Sequence, residues 1–279
     1  MQIDKETRNP PIALTIAGFD PSGGAGVIAD IKTFTAFSCF ATAAVTSLTF
    51  HNTSGVYGAR HQTADDVLAQ VIPITEDFKV RCVKTGMLPT REIIEVVARL
   101  YQELDLPAPV VDPVVRSTSG FDLIDDVALA SLTRELFPLA RIVTPNIPEA
   151  ERITGSKIND EEGMREAASA IRKLGARAVL VKGGHLTAHK PGDVLSAIDI
   201  LDNEGSVTVF RGEWIETKST HGTGCTLSAA IAACLGWGAN LEEAVGAAKR
   251  FVTDAIRDAP SLGRGNGPIN HSVPVLPYL

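Results

Sequence analysis

The chain has 279 residues, 44% hydrophobic and 21% charged, with a formal net charge of −7. That length allows one large α/β domain or two ordinary ones with an ample core. The acidic excess, with no run of Lys and Arg, argues against a nucleic-acid surface.

Four cysteines (Cys39, Cys82, Cys225 and Cys234) stand far apart with no CxxC pair. That spacing is neither a zinc framework nor a disulfide scaffold. The first nine residues are charged and lack an apolar signal core, and no apolar run approaches a membrane-spanning length. A cytoplasmic protein with no membrane partner is expected.

In chain order, short β-rich runs alternate with longer helical patterns, the signature of an α/β fold with a largely parallel sheet. Residues 12–17 read as a buried first strand, 18–24 as a glycine-rich loop and 26–37 as a helix. A second strand is expected over 41–48 and a helix over 64–78, where Val67, Leu68, Val71 and Ile72 share one face. Strand 80–85 ends at Gly86 before a helix over 90–104, and strand 109–111 runs into Asp112 and Pro113. Strand 141–144 leads through Pro145 into an acidic helix from Pro148, followed by a helix over 162–174. Strand 178–182 ends in Gly183 and Gly184. Residues 193–201 and 206–211 alternate like an antiparallel pair around the turn 202–205, and helices over 223–234 and 241–257 follow. Without a repeat or linker, one domain over 1–279 is expected, with 1–10 and the Gly/Pro-rich 263–279 as peripheral tails along the surface.

Ligands of open α/β sheets bind beyond the carboxyl ends of the strands, and the polar residues of this chain collect there. After the first strand, Gly24-Ala25-Gly26-Val27-Ile28-Ala29 formally matches the dinucleotide fingerprint GxGxxA. The match fails on geometry. Gly24 comes seven residues after Ala17 instead of directly after the strand, and Ala44, Val45 and Thr46 occupy the zone that requires an acidic residue. The loop reads either as a place where a substrate meets the backbone closely or as an exposed surface loop. Asp112 puts a carboxylate at the sheet edge. Asn146 and Glu149, three apart at a helix start, suit a magnesium–nucleotide and equally suit a helix cap and first turn. Lys182 reads as a phosphate partner or as a solvated strand-end lysine.

The most telling stretch is Thr220-His221-Gly222-Thr223-Gly224-Cys225-Thr226, which opens a small-residue helix pattern. Two glycines at a helix start leave backbone N–H groups unpaired and uncovered, and with the helix dipole they make a seat for an anion. Cys225 at the lip of that seat is expected to have its thiolate favoured by the same dipole. The pairing points to phosphoryl transfer; the plainer reading is a softened helix start followed by a small buried cysteine.

The order of these stretches resembles the ribokinase-like superfamily, and within it the hydroxymethylpyrimidine/phosphomethylpyrimidine kinases of thiamine biosynthesis. The likeness rests on Ile16-Ala17-Gly18-Phe19-Asp20-Pro21-Ser22-Gly23-Gly24-Ala25-Gly26, Ala29-Asp30, Lys84-Thr85-Gly86-Met87-Leu88, Val111-Asp112-Pro113-Val114, Thr144-Pro145-Asn146-Ile147-Pro148-Glu149, Val181-Lys182-Gly183-Gly184-His185, His221-Gly222-Thr223-Gly224-Cys225-Thr226 and the 267–271 tail. It implies a three-layer α/β/α sandwich with a mostly parallel central sheet, and ATP-dependent phosphorylation of 4-amino-5-hydroxymethyl-2-methylpyrimidine. In many members a second phosphorylation gives the diphosphate, and members are usually homodimers.

The same resemblance implies that Gly222, Thr223, Gly224 and Cys225 form the anion hole, with Cys225 assisting deprotonation of the acceptor. Gly18, Asp30, Met87 and Val114 would line the pyrimidine pocket. Asn146, Lys182 and Thr220 would serve ATP, and Asp112 and Glu149 the magnesium ion. Two departures stand out. His51 replaces a Gln that would hydrogen-bond the pyrimidine edge; a neutral histidine donates and accepts one bond, so it could still read a ring nitrogen and an amino group. Arg116 interrupts an otherwise apolar run. A pyridoxal or pyridoxine kinase is the alternative, with His51 as the residue that could tip the choice.

Overall fold

In a computed structural model that describes residues 9–115, 123–184 and 196–275, strands and helices alternate as the hydrophobic periodicity requires. Arg116, His185 and the start of the strand expected from 193 lie outside the described residues. β1 (Ile12–Phe19), β2 (Phe40–Asn52), β3 (Gly55–His61), β4 (Val80–Thr85), β5 (Val110–Val111), β6 (Ile142–Val143), β7 (Ala178–Lys182), β8 (Ser196–Asn203) and β9 (Ser206–Glu213) form one sheet. Their order is β3-β2-β1-β4-β5-β6-β7-β8-β9. The six strands from β2 to β7 in that order run parallel, and β3, β8 and β9 add antiparallel edges.

Strands buried on both faces must be apolar throughout, with successive side chains feeding opposite layers. Val179 and Val181 of β7 join one core, while Ala178 and Leu180 join the other. The first core is closed by α2 (Ala64–Asp77), α3 (Arg91–Glu103), α4 (Asp126–Ser131), α5 (Ile147–Thr154) and α6 (Glu161–Arg172). The second is closed by α1 (Gly26–Ala36), α7 (Thr223–Gly236) and α8 (Leu241–Arg257). The result is the three-layer α/β/α sandwich, with a mostly parallel sheet, that the resemblance implied. None of the described helices is long and apolar enough to cross a membrane.

Local chemistry starts the helices where they are needed. Thr63 with Asp66, and Asn240 with Glu243, form reciprocal capping boxes on α2 and α8. The small residues of α7 let it lie buried along most of its length against α1, α8 and the strands.

The chain visits β2 on one side of β1 and then returns to β4 on the other. The carboxyl ends of β1 and β4 therefore flank a topological switch point, where a crevice opens.

One expectation is corrected here. Residues 263–275 are not a peripheral tail: Ile269, Val273 and Val275 are buried in the second core. Asn270 N–H donates to the Ala255 carbonyl, and His221 N–H donates to the Gly267 carbonyl at 3.1 Å. These apolar residues are spaced among Pro and polar residues, so no periodicity announces them, yet they fill the space beside α7 and α8.

Candidate active site

The strand ends line up in a row because each loop continues its neighbour's ladder. Gly86 N–H donates to Ile16 C=O, Asp112 N–H to Thr85, Thr144 N–H to Val111 and Lys182 N–H to Pro145. Above this row lies a cleft of about 1100 Å³. Its lining includes Gly18, His51, Met87, Val114, Asp112, Asn146, Glu149, Lys182, Thr220, Gly222, Thr223, Gly224 and Cys225.

The cradle at the start of α7 depends on two glycine loops that interlock. Gly222 caps the helix at φ 82°, and a Cβ there would lie 1.7 Å from the Gly24 carbonyl oxygen. A Cβ on Gly24 would in turn meet the His221 ring at 2.4 Å. Only glycine allows so close an approach. Cys225 lies in the first turn of α7, and the Gly26 amide that opens α1 acts on its sulfur.

Below the cradle lie two lysine–carboxylate pairs. Lys182 Nζ stands 2.9 Å from Asp112 Oδ1, and a Cβ on Gly224 would lie 3.0 Å from that ammonium. Lys182 is thus an enclosed cation directly beneath the anion seat, not a solvated strand-end lysine. Lys84 and Asp30, both fully buried, pair at 2.8 Å, with Thr15 Oγ1 donating to Asp30 at 2.6 Å. Burial weakens the Lys84 ammonium, but Asp30 and neighbouring anions outweigh it and raise its pKa.

Asp30 is therefore displaced from the role expected of it. It does not reach the cleft, because its carboxylate is taken up beneath the floor by Lys84 and Thr15. The expectation for Cys225 also changes. Its thiol faces the cleft, yet burial, with Asp112 and Asp30 nearby, pushes its pKa up to about 12 against the opposing pull of Lys84 and the Gly26 amide. At rest it is a thiol, because loss of hydration outweighs the dipole.

Asn146 and Glu149 take up the helix-capping reading. Asn146 Oδ1 accepts from Glu149 N–H at 2.9 Å, and Glu149 Oε2 accepts from Asn146 N–H at 2.8 Å, a capping box on α5. Both also line the cleft. Burial, reinforced by Asp112 and opposed by Lys182, lifts the Glu149 carboxyl to about 7.

Asp20, His51 and His221 form a third cluster that the sequence did not assign as one. His221 Nε2 lies 2.7 Å from Asp20 Oδ2 and His51 Nδ1 lies 3.3 Å from Asp20 Oδ1, with the two rings edge to face at 4.9 Å. Asp20 also accepts from Ser22 N–H, Ser22 Oγ–H and Ala25 N–H. Burial alone would raise its carboxyl, but the bonds from His221 and Ser22 outweigh burial and hold it at about 2. The three ligand atoms lie within 4.8 Å of one another. With both carboxylate oxygens already taken by N–H and O–H donors, the cluster is a hydrogen-bond network and not a metal cage. Its signals in the sequence were an Asp inside a glycine loop and a His just before another. Lys84 offered a clearer one, an ionisable residue at an inward strand position, which must find a partner.

The family model described as phosphomethylpyrimidine kinase matches residues 20–270. The thiamine biosynthesis bifunctional protein ThiED of Geobacter sulfurreducens is 48% identical over 258 residues, which cover 92% of this chain and 51% of that protein. The chain thus spans about half the length of that relative. The hydroxymethylpyrimidine/phosphomethylpyrimidine kinase of Staphylococcus aureus strain MSSA476 is 42% identical, covering 94% of each chain. Among solved structures, an ADP complex of Bacillus subtilis pyridoxal kinase superposes with a TM-score of 0.85 at 37% identity, covering 95% of this chain and 98% of that one.

Fold, cradle and likenesses together define a phosphotransferase of the ribokinase-like class. Within that class the chain belongs to the phosphomethylpyrimidine kinase family.

Proposed function

We propose that this chain transfers the γ-phosphoryl group of ATP to the hydroxymethyl oxygen of 4-amino-5-hydroxymethyl-2-methylpyrimidine, and then phosphorylates the monophosphate to the diphosphate. The observation that carries the reading is the interlocked cradle of Gly222, Thr223, Gly224 and Cys225, which opens into the same cleft as Gly18, His51, Met87 and Val114. A ring held by Gly18, Met87 and Val114 would present its hydroxymethyl group to Cys225, while the amides and Lys182 receive the charge that develops on the transferring oxygens. The cleft lining also includes Ala197, Val252 and Ile256, apolar surface that suits the nucleotide base, and Asn146 and Thr220, which would serve the phosphates.

The acidic residues fit a magnesium ion. Asp112 and Glu149 are hard oxygen donors, both buried, and Glu149 is a carboxyl whose ionised form lacks sufficient compensation from the protein alone. Bound with the triphosphate, magnesium would supply charge neutralisation there. Because phosphoryl transfer demands little covalent assistance, the protonated thiol of Cys225 acts as a hydrogen-bond partner that orients the acceptor hydroxyl, whose proton passes to an oxygen of the transferring phosphoryl group as the new O–P bond forms.

We read the whole chain as one domain that works in the cytoplasm as a homodimer. Exposed Leu48, Phe50 and Tyr57 on β2 and β3 offer an apolar face for that pairing. A second reading, pyridoxal phosphorylation, is favoured by the likeness to the Bacillus subtilis pyridoxal kinase and by His51 at the ring edge. ADP release with Mg-ATP against the hydroxymethylpyrimidine, its monophosphate, pyridoxal, pyridoxine and ribose separates them. Turnover of both pyrimidines supports the first reading; turnover of pyridoxal alone replaces it with the second.

A further inference from the structure

The carboxylate of Asp20 faces two imidazoles at once, and it does so while already accepting from Ser22 and Ala25. An ionised carboxylate offers no proton. A ring nitrogen held against it is therefore favoured as N–H over a bare lone pair: His221 Nε2 at 2.7 Å and His51 Nδ1 at 3.3 Å. That sets the proton of His51, kept neutral by burial, on Nδ1, while His221 donates from Nε2 to the other carboxylate oxygen. The free nitrogen of His51 is then Nε2, a bare acceptor on a ring that lines the cleft.

We propose that Asp20 is the positioning residue of the substrate pocket, holding His51 in the Nδ1–H tautomer so that His51 reads a hydrogen-bond donor, such as a ring amino group, on the edge of the substrate. This rests on the reading of the cleft as an aminopyrimidine site and sharpens it. His51 cannot serve as donor and acceptor to the ring together, as its sequence position had suggested, because its Nδ1–H is turned towards Asp20. The same carboxylate ties the loop after β1 to the residue just before Gly222, through His221. Recognition of the ring and the shape of the phosphate cradle therefore share one anchor.

The network is rigid enough for such a role. Asp20 and His221 are buried, and the His221 backbone N–H is held by Gly267. The His221 ring packs directly against Gly24. A tautomer preference set by the outer partner of an imidazole is a general device for deciding what its inner nitrogen can do.

The direct test is long-range proton–nitrogen NMR on protein labelled with 15N-histidine, which reads tautomers without reference to activity. The expected result is His51 as Nδ1–H and His221 as Nε2–H, with Asp20→Asn shifting His51 to a mixture. A wild-type His51 found as Nε2–H, or as an even mixture, overturns the proposal whatever the enzyme phosphorylates.

Kinetics then test the consequence. Wild type is expected to favour the aminopyrimidine over the same ring lacking its amino group by about 10- to 100-fold in kcat/KM, the effect of leaving one buried acceptor unpaired. Asp20→Asn is expected to lose most of that discrimination. In the His51→Gln background, where the amide oxygen needs no tautomer, Asp20→Asn should leave discrimination unchanged. If Asp20→Asn lowers turnover of both rings equally in either background, Asp20 is only structural and the proposal fails. If wild type turns over neither ring, the functional reading fails, while the NMR result still decides the tautomers.

Discussion

Cys225 shows how two physical effects at one residue are decided by magnitude. Its place in the first turn of α7 favours a thiolate, but burial beside Asp112 and Asp30 costs more, so the resting group is protonated. If the thiol orients the acceptor hydroxyl, Cys225→Ala should lower kcat by about 10² while leaving the KM for ATP nearly unchanged; steady-state kinetics check this. Asp30 makes the complementary point. Its position in the helix after the glycine loop suggested a pocket residue, because the partner that hides it, Lys84, lies 54 residues away. As one half of a fully buried ion pair, Asp30 cannot be neutralised without stranding Lys84. Asp30→Asn should therefore destabilise the fold by about 3 to 5 kcal/mol, measured by urea unfolding, with the KM for the pyrimidine changing less than stability does in the fraction that remains folded.

At the scale of elements, the cradle is a contact between two loops as much as a helix start. Gly222 takes a left-handed conformation against the Gly24 carbonyl, so Gly222→Ala should abolish most turnover by forcing the loops apart. Circular dichroism should still show the folded α/β domain; unchanged kcat would contradict the interlocking. The glycines, the strand-end carboxylates and the helix carrying Cys225 were legible because each has a local cause: a missing Cβ, a strand that stops, a small-residue period. β3 was not, because it is a half-exposed edge strand broken by Gly58, and alternation has little to show when neither face is fully buried. α4 was missed because six residues are too few to establish a helical period. The pairing of Asp20 with His221 joins residues 201 apart, and no local pattern contains it.

For the whole molecule, the segment over 263–275 matters most among the corrections, since it braces the cradle from behind. His271 is buried there, with Nε2 3.0 Å from Thr226 Oγ1, and burial with Lys32 nearby depresses its pKa from 6.5 to about 4. Between those pH values the unfolded chain binds more protons than the folded one. Stability should therefore fall as pH drops from about 6.5 to 4, by about 3 kcal/mol for this group at 1.36 kcal/mol per unit. His51 and His61, also depressed by burial, act in the same direction. His271→Gln should flatten that part of the slope in urea titrations; an unchanged slope would mean that the ring titrates normally.

The fold and most of the cleft could be read from the order of strand-end motifs, since a parallel sheet with a switch point leaves few places for polar residues to gather. What could not be read was which charges the protein spends on itself, because pairing depends on distance in space and not along the chain. The measurement that tests the central claim most directly is 31P NMR of the purified chain with Mg-ATP and 4-amino-5-hydroxymethyl-2-methylpyrimidine. The expected record is a phosphomonoester signal that rises first and gives way to a diphosphate as ATP is consumed. No new phosphorus signal, from folded protein that binds ATP, would contradict the assignment.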